Sequence, residues 1–326
     1  MKRLGLVVLV VLVAVGCGQQ QPAGGSVEKN RAPQPGKIRI ALAPKGLAHQ
    51  FWLTVKAGAE AAAKEFGAEI DWQGPAKETE VDKQISIMED MISSKVNAIV
   101  MAACDENALI GVVQKAIDAG IPVVTIDSGI KSDIAVSFVA TDNVAGGRTA
   151  ARELARLIGE EGEVGLIPFV PGAATSELRE QGFLEGLAEF ANIKLAQKLY
   201  CMSDVAKGMS VTEDMMTSNP GLKGIFAANE PGAIGSAQAL KAAGKAGQIK
   251  LVAFDASNEE IQALKEGSIQ ALVVQNPYQM GYQGVKAAID HLQGKPVDKR
   301  VDTGVTVVTM ENFNDPEIQK LLYPLA

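Results

Sequence analysis

From residue 38 onward, short β-prone runs alternate with longer stretches in which apolar positions recur every three or four residues. The runs Ile38–Ala43, Ala68–Trp72, Ala98–Ala102, Pro122–Ile126, Val136–Ala140, Val164–Pro168, Ile193–Tyr200, Gly224–Ala228, Lys250–Phe254, Gln270–Val274 and Val305–Thr309 read as strands. Most stretches between them are amphipathic. In one, Val81, Ile85, Met88 and Ile92 fall at helical spacing, with Glu80, Asp82, Lys83 and Glu89 at the other positions. Gly67, Gly120, Gly159 and Gly244 follow helical runs, where the left-handed residue that ends a helix suits glycine.

Strands alternating with helices predict an α/β fold with parallel sheets covered on both faces. Eleven strands are too many for one ordinary open sheet. The roughly 310 residues from Cys17 onward also exceed the size at which a single core usually stops growing. The expectation is two doubly wound parallel-sheet lobes. In such sheets ligands bind beyond the carboxyl ends of the strands, so the residues just after each strand are the ones to inspect.

The first residues bear on compartment. Lys2 and Arg3 precede an apolar run from Leu4 to Val15 and then Gly16-Cys17. That is the pattern of a secretory signal, and the run is shorter than the roughly 20 residues a membrane-spanning helix needs. Small residues before Cys17 resemble the lipobox of bacterial lipoproteins, although Ala14 stands where Leu is usual. The resemblance implies cleavage before Cys17 and a lipid on its thiol; an ordinary secretory signal cut nearby is the alternative. Residues 1–17 are thus read as a lipoprotein signal segment. Residues 18–36, rich in Gln, Pro, Gly and Ser, are read as a flexible tether. The protein is expected outside the cytoplasm, in the periplasm or on the outer face of the cell membrane, touching the bilayer only through its anchor.

Composition narrows the function classes. The chain is 47% hydrophobic and carries a net charge of −7 with no basic cluster, which argues against a nucleic-acid-binding face. Of three cysteines, Cys104 and Cys201 are left beside Cys17. They lie far apart without metal-type spacing, and buried free thiols are favoured over a disulfide, with their redox state left open. His49 and His291 cannot supply a typical zinc site without help. Neither a metal nor a cofactor is expected. The sequence lacks GxGxxG, GxxxxGK[ST] and GxSxG motifs, which weakens an enzymatic reading.

The strand ends carry a consistent chemistry. Lys45 and then His49-Gln50-Phe51-Trp52 follow the first strand, and Asp127-Ser128 follow the fourth. Thr175-Ser176 and Arg179 follow the sixth. Asn229-Glu230, Asp255 and Gln275-Asn276-Pro277 follow later strands. Carboxylate, amide and guanidinium groups can each bridge two neighbouring hydroxyls, and aromatic rings can cover the weakly apolar faces of a sugar. Lys45 and Arg179 balance Asp127 and Asp255, a balance that suits a neutral ligand; Glu230, if it points inward, shifts it further against anions. Each residue has a plainer reading. Asp127 and Asp255 are candidates for turn caps, Phe51 and Trp52 for core positions, and Lys45 and Arg179 for solvated charges. Their joint recurrence at strand ends is what favours a binding site.

These segments resemble the ribose/allose/galactose-type periplasmic binding proteins, the substrate-binding subunits of ABC sugar importers. The similarity runs from about Lys37 to the C-terminus. It is carried by KGLAHQFWLTVKAG (45–58), PVVTIDS (122–128), Thr141-Asp142-Asn143 with Gly146-Gly147, TSELREQGF (175–183), FAANE (226–230), VAFD (252–255), and Val274-Gln275 with Gly281. The resemblance implies ligand contacts at Lys45, Phe51, Trp52, Asp127, Arg179, Asn229, Asp255 and Gln275. His49 and Ser128 occupy positions where Asn and Arg are common in the family and complete the candidate set. The position near Ser203, aromatic in some ribose binders, is polar here. The resemblance also implies three crossings between lobes. Residues 37–140 and 276–303 would form the first lobe, and residues 141–275 and 304–326 the second. The implied role is that of a monomer without catalytic residues, closing on a neutral monosaccharide or polyol and passing it to an ABC transporter permease. A sugar-sensing receptor is the alternative. A sugar-modifying enzyme and a repressor, which would need an N-terminal DNA-binding unit, follow behind. The sugar itself is left open.

Overall fold

A computed structural model of the chain describes residues 36–324. The signal segment, Cys17 and all but the last residue of the tether lie outside the described residues. Among the described residues, twelve strands and ten helices follow one another in near-strict alternation: β1 (Arg39–Ala43), α1 (Gln50–Phe66), β2 (Glu69–Trp72), α2 (Val81–Ser93), β3 (Ala98–Met101), α3 (Ile110–Asp118), β4 (Val123–Ile126), β5 (Ser137–Ala140), α4 (Asn143–Ile158), β6 (Gly162–Ile167), α5 (Ala174–Leu187), β7 (Ile193–Lys198), α6 (Val205–Ser218), β8 (Leu222–Ala227), α7 (Glu230–Ala242), β9 (Lys250–Phe254), α8 (Asn258–Glu266), β10 (Ala271–Val274), α9 (Pro277–Leu292), β11 (Arg300–Asp302), β12 (Thr306–Val308) and α10 (Pro316–Leu322).

The strands form two six-stranded sheets, ordered β11-β5-β4-β3-β1-β2 and β12-β10-β9-β8-β6-β7. The orders correspond strand for strand, so each lobe repeats one winding. The eleven strands expected from the sequence are all present. The twelfth, β11, was not expected, and one pairing departs from the parallel rule: β12 runs antiparallel to β10, with Leu272 opposite Val308. Helices cover both faces of the first sheet, and the strand residues divide by period two. Ile40, Leu42, Val100 and Val124 pack on the α1 and α9 side, whereas Ala41, Ala43, Ile99 and Val123 pack against α2 and α3. That two-sided burial is why these strands read as continuous apolar runs.

Two helix crossings depend on glycine. A Cβ at Gly58 of α1 would lie 2.0 Å from the carbonyl oxygen of Tyr278, and one at Gly182 of α5 would lie 2.1 Å from that of Val144. The first contact seats α1 on α9. The second seats α5, which carries Arg179, on α4. The expected caps Gly67 and Gly159 both adopt the left-handed conformation at the ends of α1 and α4.

Between β11 and β12 only Thr303, Gly304 and Val305 separate one sheet from the other. This stub is tied to the neighbouring crossing after β5. Arg300 donates to the carbonyls of Ala140 (2.6 Å) and Thr141 (3.0 Å), and the Thr141 hydroxyl donates to Gly304 O (3.2 Å). No helix among the described residues is long and apolar enough to cross a membrane.

Candidate ligand-binding site

Asp127 and Asp255 stand just beyond β4 and β9, the corresponding strands of the two sheets. Their amides donate to Val139 O and Val273 O of the next strand in each sheet, at 3.0 and 3.1 Å. Both have positive φ, 54° and 87°. Asp tolerates that region better than most residues, yet it costs of order 1–3 kcal/mol and is usually held for a purpose. In each lobe the turn delivers a carboxylate over the end of the sheet.

These carboxylates share one cavity with Lys45, His49, Phe51, Trp52, Arg179, Asn229 and Gln275. Nine of the ten candidate ligand residues therefore meet at one place. Ser128 does not line it. Its amide folds back onto Ile126 O (2.5 Å) and its carbonyl accepts from Ala103 (2.9 Å), which turns the residue into the lobe, fully buried. The cavity encloses about 290 Å³ of atom-free space, part of it open to solvent.

The cavity's polar groups are held in place by each other. Lys45, 3% exposed, pairs with Asp127 at 2.9 Å and donates to Thr175 Oγ1 at 3.0 Å. Burial works against its charge, but Asp127 and Glu78 outweigh that and raise its pKa. Arg179 donates to Asn143 Oδ1 (2.8 Å) and Ala228 O (2.7 Å), and its guanidinium carbon lies 3.8 Å from the centre of the Phe254 ring. Burial lowers the Arg179 pKa, with Asp255 and Asp127 opposing. Asp255 accepts from Gln275 Nε2 (2.7 Å) and from the Glu230 amide (3.0 Å). Its pKa is raised, chiefly by burial, with Arg179 opposing. Asn229 caps α7, accepting from Gly232 N at 3.1 Å while its amide donates to Ser203 Oγ at 2.8 Å. Phe51 and Trp52 meet edge to face at 4.9 Å, and Trp52 is also part of the core under α1.

Two acids change the expected charge balance. Glu230 does point inward. Glu78, in the loop before α2, was not expected at all. It accepts from Trp52 Nε1 (3.0 Å) and Ser203 Oγ (2.8 Å) and stands 3.6 Å from His49 Nδ1. Burial opposes its charge, but Lys45 and His49 hold its carboxyl well below the usual range. Phe169, just beyond β6, also lines the cavity and was missed. The strand-end rule pointed to it; Glu78, in the loop after β2, lies closer to its strand than Phe51 or Arg179 does to its own, and the same rule could have found it. The cavity thus presents Glu78, Asp127, Glu230 and Asp255 against Lys45, Arg179 and His49. It disfavours anions more strongly than the sequence suggested.

Contacts bridge the two lobes. Besides Lys45–Thr175 and Ser203–Glu78, both oxygens of Glu230 accept from the first amides of α1, Gln50 N and Phe51 N, each at 3.0 Å. The residue preceding α1, His49, gives no side-chain cap of its own, so an acid from the opposite lobe caps this helix. Gln50 Oε1 in turn accepts from Asn258 N at 2.9 Å.

Cys104 and Cys201 are both buried and unpaired. Burial pushes the Cys201 thiol up to about 12, and burial also raises Cys104. Neither is poised as a nucleophile. Among the described residues no group of three or more His, Cys, Asp or Glu is placed to hold a metal ion.

A two-lobed α/β chain with strand-end residues converging between the lobes defines a ligand-trapping protein. The chain belongs to the periplasmic binding protein family, whose domain matches residues 40–296. It is 35% identical over 313 residues to the D-ribose/D-allose-binding protein of Pseudomonas aeruginosa, covering 92% of this chain and 97% of that one. It is 32% identical over 270 residues to the D-allose-binding periplasmic protein of Escherichia coli, covering 79% and 87%. A carbohydrate transporter solute binding protein from Agrobacterium radiobacter, solved in complex with D-arabinose, superposes with a TM-score of 0.86 at 36% identity, covering 89% of this chain and 100% of that one. The resemblance drawn from the sequence motifs is borne out. The family and these relatives are binding proteins, and periplasmic binding proteins are extracytoplasmic.

Proposed function

We propose that the chain is the extracytoplasmic substrate-binding component of an ABC importer, closing on a neutral monosaccharide or related polyol and handing it to the permease. The convergence of nine strand-end candidates on one cavity between the lobes supports this reading most directly. Lys45, His49, Phe51, Trp52 and Asp127 would hold the ligand from the first lobe, and Arg179, Asn229 and Asp255 from the second, with Gln275 where they meet. Glu78 would orient His49 and Trp52. Opening would occur about three crossings near residues 140, 275 and 303, with lobes of 37–140 plus 276–303 and 141–275 plus 304–326. Ligand binding the closed form better shifts that equilibrium. Cys17 would carry the lipid anchor, and the protein would act as a monomer without turnover of its ligand. The relatives' sugars make D-ribose, D-allose and D-arabinose the first ligands to try.

The test is a thermal-shift screen against neutral pentoses, hexoses and inositols, followed by calorimetry on the hits. A 1:1 complex with a neutral sugar near micromolar affinity is expected, and X-ray scattering should show a more compact protein on saturation. Binding restricted to phosphorylated or carboxylated ligands would defeat the proposal.

A further inference from the structure

Beside the cleft lies a second, larger chamber with about 830 Å³ of atom-free space, part of it open to solvent. Phe51, Glu230, Asp255 and Gln275 line both spaces, so chamber and cleft share a wall. Beyond that wall the surface changes character. Val274, Pro277, Leu321, Leu322 and Tyr323 supply mostly apolar surface, and the last three come from α10 and the residue after it. Two polar groups there are already used: Thr54 Oγ1 donates to Gln50 O at 3.1 Å, and Ser257 belongs to the capping box of α8.

The shared wall holds one unpaired acceptor. Gln275 is 2% exposed; its Nε2 donates to Asp255 Oδ1 at 2.7 Å, and its Oε1 has no partner. A buried amide oxygen without a donor is unfavourable, and a ligand hydroxyl at this wall would remove the defect.

We propose that the chamber is a subsite for the aglycone of a glycoside. The sugar ring occupies the cleft and donates a hydroxyl to Gln275 Oε1. A small apolar substituent leaves the ring past Phe51 and Gln275 and lies against Val274, Pro277 and Leu322. A second sugar is a poorer occupant, because many of its hydroxyls would face the apolar side chains of Val274, Pro277, Leu321 and Leu322. This inference rests on the sugar-binding reading above and narrows its ligand class.

Calorimetry with D-ribose, D-allose and the methyl and phenyl glycosides of each, in both anomers, tests it. Two chamber-filling variants, Thr54→Phe and Ala256→Leu, accompany the wild type; neither residue lines the cleft. For at least one sugar and anomer, the phenyl glycoside should bind about tenfold more tightly than the methyl glycoside, from burial of the ring. Both variants should erase that difference while binding the free sugar as before. Free-sugar binding with phenyl glycosides rejected, or a phenyl preference that survives both variants, overturns the inference and leaves the sugar-binding reading intact. Failure to bind any of these sugars or glycosides overturns both.

Discussion

The acid that caps a helix from the opposite lobe makes a quantitative prediction. Glu230 places its two carboxylate oxygens 3.0 Å from the amides of Gln50 and Phe51. A hydrogen bond to a charged group contributes roughly 1.5–3 kcal/mol net, so two suggest about 3–6 kcal/mol. Glu230 is only 6% exposed, however, and burial raises its carboxyl pKa, so its ionised form is partly penalised where it sits. Half that sum, about 1.5–3 kcal/mol for the pair, is the better figure. Because the amides are free to meet water when the lobes part, this energy belongs to closure. Glu230→Ala should therefore reduce the closing equilibrium, and with it ligand affinity, by roughly 10- to 100-fold. Glu230→Gln should fall between, since one neutral carbonyl oxygen remains to accept. Fluorescent labels on the two lobes would report the closed fraction without ligand, and calorimetry the affinity. An unchanged closed fraction in ligand-free Glu230→Ala would refute the reasoning, even if affinity fell, because Glu230 would then act only on the ligand.

Asp127→Asn and Asp255→Asn keep a residue that tolerates positive φ while removing a charged acceptor. Each should weaken sugar binding about tenfold or more by calorimetry; Asp255→Asn should change the melting temperature little, whereas Asp127→Asn, which strips buried Lys45 of its ion-pair partner, should lower it. Gly182→Ala would drive a Cβ to 2.1 Å from Val144 O at the α4–α5 crossing. A stability loss of about 1–3 kcal/mol in denaturant titration is expected, together with weaker binding as Arg179 moves with its helix. The His49 pKa is raised: burial opposes its charge, but the Glu78 carboxylate outweighs that, with Glu230 and Asp255 adding to it. A raised native pKa means that the His49–Glu78 contribution is fully present below the ordinary value of 6.5 and fades as pH rises through the native one. The melting-temperature difference between wild type and His49→Gln should shrink from pH 6 to pH 9; a difference independent of pH would count against the pair.

The sheets were legible because parallel strands buried on both faces leave unbroken apolar runs, as in Ala98–Met101 and Ala271–Val274. The edge strand β11, only Arg300, Val301 and Asp302, carries no such signal and exists through pairing with β5. The antiparallel seat of β12 is likewise a property of the assembled sheet. Among site residues, Asp127 and Asp255 could be read because position after a strand is a local property, and Arg179, inside α5, through the segment TSELREQGF that resembles the family. Ser128 shared that position but not the outcome, since the backbone reverses at Asp127 and carries the next side chain away. Glu78 was overlooked: its importance comes from meeting His49, Trp52 and Ser203, which are distant in the chain.

The stub from Asp302 to Thr306 sets a limit on how the halves can part. Four backbone steps reach at most about 14 Å when fully stretched. Drawing the halves straight apart would soon pull on β11 and β12, and so strip one edge from each sheet. Arg300 ties the adjacent passage to the same spot. If the halves part as proposed, the inexpensive motion would be a swing with this spot as its pivot, smallest near residue 303. A spacer of glycines added after Thr303 should therefore blur the geometry of that swing before it disturbs either half.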